Sequence, residues 1–472
     1  MPSKSARSTS LLLVTALAAL ALLLGGAPAV AGRDTTARRG AVPSDQPLPG
    51  YTVNNPTLAP ISVGGRSTRV FQGVHQHAAY DVEVPADWNG ELVMWAHGYR
   101  GTGKVLTVDT PGYGLRQKLL QEGYAWAASS YATNDYNVAT GVTTTRGLAV
   151  RAADLIGRRP ARTYVAGVSM GGHVIGRSLE QYPRFYDGAL PMCGVLGDQE
   201  LFDYFLSYNL VAQDLADREA YPPPADYLTA DVPVIQQRLG LAGLTPATDT
   251  TNDLGKQLRS ITTDLTGGDR PGAAQAFAVW KDFLFTLYTP DTGGPLRENA
   301  GRLAQNADTT YSPSAPVDVN ATVRRVTPVD QVSRHTQRLT EIPRIDGRPL
   351  VPTLTLHGLG DLFVPFSMEQ VYAREVAGHH RSGLLVQRAI RAAGHCEFTP
   401  TEVGTAWDDL TTWVESRDGR GHRPEQRPAG DDVLTPATVA APTYGCRFTD
   451  PTAYQLPQAF ATRGLYARCP AG

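Results

Sequence analysis

The chain alternates between short apolar runs and longer stretches whose apolar positions recur every three to four residues. "ELVMWA" (91–96), "YAWAASSY" (124–131), "RTYVAG" (162–167) and "DGALPMC" (187–193) are runs of strand length, separated by helical stretches. After a long gap the same texture returns in "VPTLTLHG" (351–358) and "LLVQRAIRAAG" (384–394). Runs apolar on both faces need cover on both faces, which predicts a mostly parallel sheet between two layers of helix. Upstream, "RVFQGVHQHAAYDVEV" (69–84) alternates as strands do.

This pattern divides the chain. Residues 32–60 form a loose N-terminal segment rich in Arg, Pro, Thr and Gly. A first core part is predicted over 61–200 and a second over 346–416, closed by the helix "TPTEVGTAWDDLTTWVES" (399–416). Between them, 201–345 reads as helices broken by "REAYPPPADY" (218–227) and "TGGDRPG" (266–272), an insertion large enough to roof a site. Its aromatic stripes, "LFDYFLSY" (201–208) and "FAVWKDFLFTLY" (277–288), read first as helix core. Any of these aromatics that line a cleft would favour an apolar or aromatic acyl group. Residues 417–472 are a Gly/Pro/Arg-rich linker and a short tail with two cysteines.

Composition narrows the function classes. The 472 residues are 42% hydrophobic and 19% charged, an ordinary globular balance with length for a large core. A formal charge of −2 gives no reason to expect a nucleic-acid partner. Residues 1–31 have a basic start (Lys4, Arg7), the apolar run "LLLVTALAALALLL" (11–24) and a small-residue site, "AVA", ending at Ala31. That is the pattern of a secretory leader cleaved after Ala31, and the run is shorter than the roughly 20 residues of a membrane span. Export would leave no membrane attachment and a chain of about −4 charge. In an oxidising compartment the four cysteines, Cys193, Cys396, Cys446 and Cys469, would form two disulfides. Three pairings are open, and the expected one joins Cys446 to Cys469 and Cys193 to Cys396. Cys446 with Cys469 would crosslink a tail too short to bury much core. Cys193 with Cys396 would join two strand ends. The rival is Cys396 with Cys446. No C-x-x-C spacing suggests a metal, and no cofactor is called for.

The chemistry centres on "YVAGVSMGGH" (164–173). A strand enters Gly-x-Ser-x-Gly and a helix leaves it, the strand–turn–helix of a nucleophile elbow at Ser169. Such a turn strains the serine and leaves no room for side chains at Gly167 and Gly171. A serine needs a base, and there are ten histidines. His75 and His77 read as an early strand, and His335 falls in the insertion. His379 and His380 end a helix, and His422 is in the linker. His97 and His357 sit in tight strand-end turns, and His173 lies on the helix facing away from the serine. His395, in "RAAGHCEFT" (391–399), follows the last apolar run on a loop and is the candidate base. "LHGLGDLFVP" (356–365) supplies the orienting acid, Asp361, with Asp198 in "CGVLGDQE" (193–200) as its competitor.

"GVSMGG", "HGLGDLFVP" and "GHCEF", in this order, resemble the α/β-hydrolase superfamily of serine hydrolases over about 70–200 and 346–416. The resemblance implies an eight-stranded, mostly parallel sheet and a cap inserted before the acid-bearing strand. It also implies an oxyanion hole from the backbone N–H groups of Met170 and Tyr99. The "HC" pair is further similar to tannase and feruloyl esterase chains, where a Cys precedes the nucleophile at the position of Val168 here. An extracellular hydrolase of small carboxylic esters, working through an acyl-enzyme, is the expected function. An amidase or peptidase with the same triad, and a silent binding protein on this scaffold, are the alternatives.

Overall fold

A computed structural model describes residues 43–288, 299–417, 424–455 and 458–470. The leader expected over 1–31, and residues 32–42 after it, lie outside the described residues.

Eight strands form the main sheet: β1 (Arg69–His75), β2 (Ala78–Val84), β3 (Glu91–Ala96), β4 (Ala125–Ser129), β5 (Arg162–Val168), β6 (Gly188–Met192), β7 (Thr353–Gly358) and β8 (Leu385–Ile390). Their order is β8-β7-β6-β5-β3-β4-β2-β1. β2 runs antiparallel to both of its neighbours, and every other neighbouring pair is parallel. The predicted apolar runs are these strands. β3, β4 and β6 are buried at every position because both faces of the sheet are covered.

Alternation sorts the side chains between two cores. Leu92, Met94 and Ala96 of β3 point to one core, and Val93 and Trp95 to the other. The first lies under α2 (Val138–Ile156) and α3 (Met170–Gln181), the second under α1 (Leu115–Gln121) and a late helix (Pro400–Arg417) that adds Trp407 and Trp413. Strand order, one reversed second strand and helices on both faces make this an α/β-hydrolase fold.

The segment 69–84 is two strands. Gln76 and His77 have φ of 50° and 67°, the two left-handed positions of a tight hairpin turn, so His77 sits in the turn and His75 closes β1. Between β6 and β7 the described residues form helices joined by long loops, with α4 (Glu200–Leu215), α5 (Asp253–Leu265), α6 (Ala273–Thr286) and shorter helical turns. Three side chains of this segment reach loops that follow β7 and β8. Tyr204 Oη donates to Leu362 O (3.1 Å), Arg270 Nε to Leu359 O (2.6 Å) and Trp280 Nε1 to Ala393 O (2.7 Å). These contacts lie at the carboxyl ends of the strands, where open α/β sheets bind ligands.

The C-terminal segment is more deeply engaged than its composition predicts. Val439, Tyr444 and Tyr466 are buried, and the fully buried Arg391, just past β8, donates to the carbonyls of Tyr444, Pro442 and Ala467. A final long helix, α8 (Pro400–Arg417), follows α7 (Ser367–Gly378) and β8 and precedes this tail. Among the described residues no helix is long and apolar enough to cross a membrane.

Candidate active site

Ser169 stands between β5 and α3 with φ 56° and ψ −123°, a conformation that costs roughly 1–3 kcal/mol for a residue with a side chain. Hydrogen bonds hold it there. Its N–H donates to Met192 O (3.1 Å), and its own carbonyl accepts from Gly172 (2.8 Å) and Val195 (3.2 Å). The two motif glycines are needed for space. A Cβ on Gly167 would lie 2.3 Å from the Ala96 carbonyl oxygen, and one on Gly171 would lie 2.1 Å from it. α3 is thereby drawn against the end of β3.

His395 lies on the loop after β8, and Asp361 on the loop after β7. Asp361 Oδ2 is 2.6 Å from His395 Nδ1, and His395 Nε2 is 2.9 Å from Ser169 Oγ. The structure therefore brings all three predicted residues into one hydrogen-bonded line. Asp361 is fully buried, and its second oxygen, Oδ1, accepts the backbone N–H of Phe363 and Val364 at 3.0 Å each. Those bonds fix the rotamer of the side chain. His357 completes this loop, with ring nitrogens bonded to Val364 O (2.8 Å) and Glu369 (3.2 Å). Burial works against its charge, but the Glu369 carboxylate wins and raises its pKa.

The competing acid has other work. The Asp198 carboxyl is desolvated, which pushes its pKa up to about 6, and its oxygens accept the backbone N–H of Gln199 and of Ile345 (2.7 Å). It ties the start of the helical insertion to its end. His173 is buried, bonded to Pro343 O (2.7 Å) and Tyr136 Oη (3.2 Å), and burial holds its pKa down near 4.

Of the two expected oxyanion donors, Met170 directly follows the serine in the chain, and Tyr99 comes from the loop after β3. Met170 is the first residue of α3. On the other side runs His97-Gly98-Tyr99, where a Cβ on Gly98 would sit 3.1 Å from Ser169 Cβ. This loop is braced. The His97 ring stacks on Tyr131 at 3.8 Å, Tyr131 Oη donates to His97 O (3.0 Å), and His97 Nδ1–H donates to Gly98 O (2.7 Å). Burial lowers the His97 pKa to about 4, so the ring is neutral. Tyr131 was not singled out from the sequence; its place directly after a strand-end "SS" is the only signal there.

Disulfides join Cys193 to Cys396 and Cys446 to Cys469. The first links the end of β6 to the residue after the base, and Cys396 Sγ is 3.4 Å from His395 Nε2. Both sulfurs and His395 cluster within 4.8 Å, but sulfurs bonded to each other offer no thiolate to a metal. Tyr113 Oη donates to Cys396 O (2.9 Å); burial, then the nearby Asp361 charge, pushes its pKa up to about 12. In a chain carrying both Cys193→Ser and Cys396→Ser, kcat well below the unfolding temperature should fall by about tenfold, because the base loop gains freedom. Unchanged kcat there, with only a lower melting temperature, would make the bond a structural staple and nothing more.

Aromatic side chains wall one side of the site. Phe363 lies edge-on to the His395 ring at 5.0 Å, Phe205 stacks on Phe363 at 6.0 Å, and Phe283 meets Phe363 at 5.1 Å. Phe283 is 37% exposed beside Trp280 (5.4 Å). So part of the insertion's aromatic stripe is core, as Phe202 and Phe205 are, and part, Phe283, packs on Phe363, which lies against the base.

No family model matches this chain. Over 112 residues it is 27% identical to the o-phthalyl amidase of Xanthobacter agilis, and the match spans 24% of this chain and 23% of that protein's length. Among solved structures it is similar to an esterase from Aspergillus oryzae, with a TM-score of 0.44 and 12% identity over 76% of this chain and 81% of that one. It is also similar to feruloyl esterase B from Aspergillus oryzae (TM-score 0.43, 13% identity, 78% and 86% covered). A third is the Pyrococcus horikoshii acylaminoacyl peptidase (TM-score 0.36, 9% identity, 78% and 43% covered).

Proposed function

We propose that this α/β-hydrolase-fold chain is a secreted serine hydrolase of small carboxylic esters, with Ser169 as nucleophile, His395 as base and Asp361 as the orienting acid. The observation that carries the reading is the Asp361–His395–Ser169 line, at 2.6 and 2.9 Å, ending on a strained serine. His395 Nε2 takes the Ser169 proton as Oγ attacks the substrate carbonyl. The N–H groups of Met170 and Tyr99 receive the developing oxyanion, a contribution of roughly 3–4 kcal/mol for each donor. His395 then protonates the leaving group, and the acyl-enzyme forms. Water enters, gives a proton to His395 as it attacks the acyl carbon, and the histidine returns that proton to Ser169 Oγ as the acid leaves. Residues 201–345 act as a cap over this site, and two disulfides agree with an oxidising destination.

The acyl group is read as flat and apolar, because Phe363 stands against the base and the part-exposed Phe283 and Trp280 pack on Phe363. The match to an amidase named for a phthalyl group favours a second reading, hydrolysis of an aromatic amide by the same residues.

A panel of p-nitrophenyl esters against the matching p-nitroanilides decides between them. Ester turnover well above anilide turnover is expected, with benzoate preferred to butyrate. Phe283→Ala should cut the benzoate-to-butyrate ratio by about two- to tenfold, the worth of one lost aromatic contact. Anilides cleaved better than esters would turn the assignment to an amidase. No turnover, and no labelling by a fluorophosphonate, would leave a binding protein.

A further inference from the structure

Residues 391–397 run from the end of β8 through His395, and their backbone is held largely by the C-terminal segment. The Arg391 N–H donates to Thr449 Oγ1 (2.9 Å), and Tyr466 Oη donates to Ala392 O (3.1 Å). The next two N–H groups, of Ala393 and Gly394, share one acceptor, Thr462 Oγ1, at 3.0 and 3.1 Å. The Thr462 hydroxyl proton goes to Glu397 Oε2, so the hydroxyl uses its donor and both lone pairs. Glu397 Oε2 in turn accepts from Gly394 N (3.2 Å). The neighbouring Arg463 donates to Glu397 O (2.7 Å) and, fully buried, pairs with Glu402 in the first turn of α8 at 2.8 and 2.9 Å.

We propose that Thr462 is a positioning residue of the proposed hydrolase, fixing the two peptide units before His395 so that Nε2 meets Ser169 Oγ. This rests on the Ser169–His395 reading above. The physical case is local. One hydroxyl clamps consecutive amides directly before the base, and a misplacement of about 1 Å there is enough to cost about 100-fold in rate. Arg463 anchors the clamp rather than setting the base. Removing it would strand the buried Glu402 carboxylate, a change that threatens folding, so the test is made at Thr462.

The experiment uses the full chain, with wild type, Thr462→Val, Thr462→Ser and Ser169→Ala compared on one p-nitrophenyl ester. Rates are expressed per active site titrated with a fluorophosphonate, so misfolded protein does not count. Valine keeps the shape and loses the hydroxyl; kcat per titrated site should fall by about 10- to 100-fold with KM little changed. Serine restores the hydroxyl and should recover most of the lost rate. Should Thr462→Val yield no titratable protein, Thr462→Ala is measured the same way. A valine or alanine variant with wild-type kcat per site overturns the proposal, as does a serine variant as slow as valine. Full turnover in Ser169→Ala would instead overturn the underlying reading, and the two failures are read from different proteins.

Discussion

Ser169→Ala should abolish ester turnover, a loss of about six orders of magnitude, while the protein stays folded. The rate loss is large because nothing else in the line can form the acyl bond; His395 and Asp361 act only through the serine oxygen. The stability change should be small, within about 1 kcal/mol, because Oγ makes one bond, to a histidine whose side chain is 19% exposed and can turn to water. Alanine at this position keeps the elbow's backbone, since the strain at φ 56° is shared by any residue with a Cβ. His395→Ala should be equally inactive, and fluorophosphonate labelling should disappear in Ser169→Ala. Turnover near wild type in Ser169→Ala would remove the serine from the mechanism.

The parts of this molecule that were legible in the sequence are those written in apolar periodicity or in motif order. Strands such as "ELVMWA" and "DGALPMC" show their burial in unbroken apolar runs, and the elbow advertises itself because Gly167 and Gly171 have no steric alternative against the Ala96 carbonyl. The Cys193–Cys396 pairing was readable across 203 residues because both lie at carboxyl ends of strands in one sheet. The tail was not readable. The anchors that join it to the core, Arg391, Thr462 and Arg463, are polar residues that sequence patterning assigns to the surface; Arg391 is buried against tail carbonyls and Arg463 against Glu402 of α8, partners that only the fold brings together. The aromatic wall was half readable. "FAVWKDFLFTLY" announces a packed helix, but only tertiary contact reveals that Phe283 meets Phe363 while Phe285 is core.

Asp361→Asn should lower kcat by about four orders of magnitude, because it would reverse the histidine tautomer. The reason lies in how the carboxylate is held. Oδ1 is committed to the N–H groups of Phe363 and Val364, so an asparagine would keep its carbonyl oxygen there. Its NH₂ would then face His395 Nδ1, in the place of the carboxylate oxygen 2.6 Å away. A donor facing Nδ1 forces the ring to carry its proton on Nε2, where it cannot accept one from Ser169. The fold should survive, since shape and both backbone bonds are retained. Asp198→Asn is the control. It would weaken bonds to Gln199 and Ile345 at the base of the insertion, so it should lower the melting temperature and leave kcat per titrated site within a few-fold of wild type. The opposite pattern, with Asp361→Asn active and Asp198→Asn dead, would move the orienting role to the end of β6. Equal, mild effects in both would mean that His395 is held in its working tautomer by the loop alone, a result that would raise the weight carried by Thr462 and the Cys193–Cys396 bond.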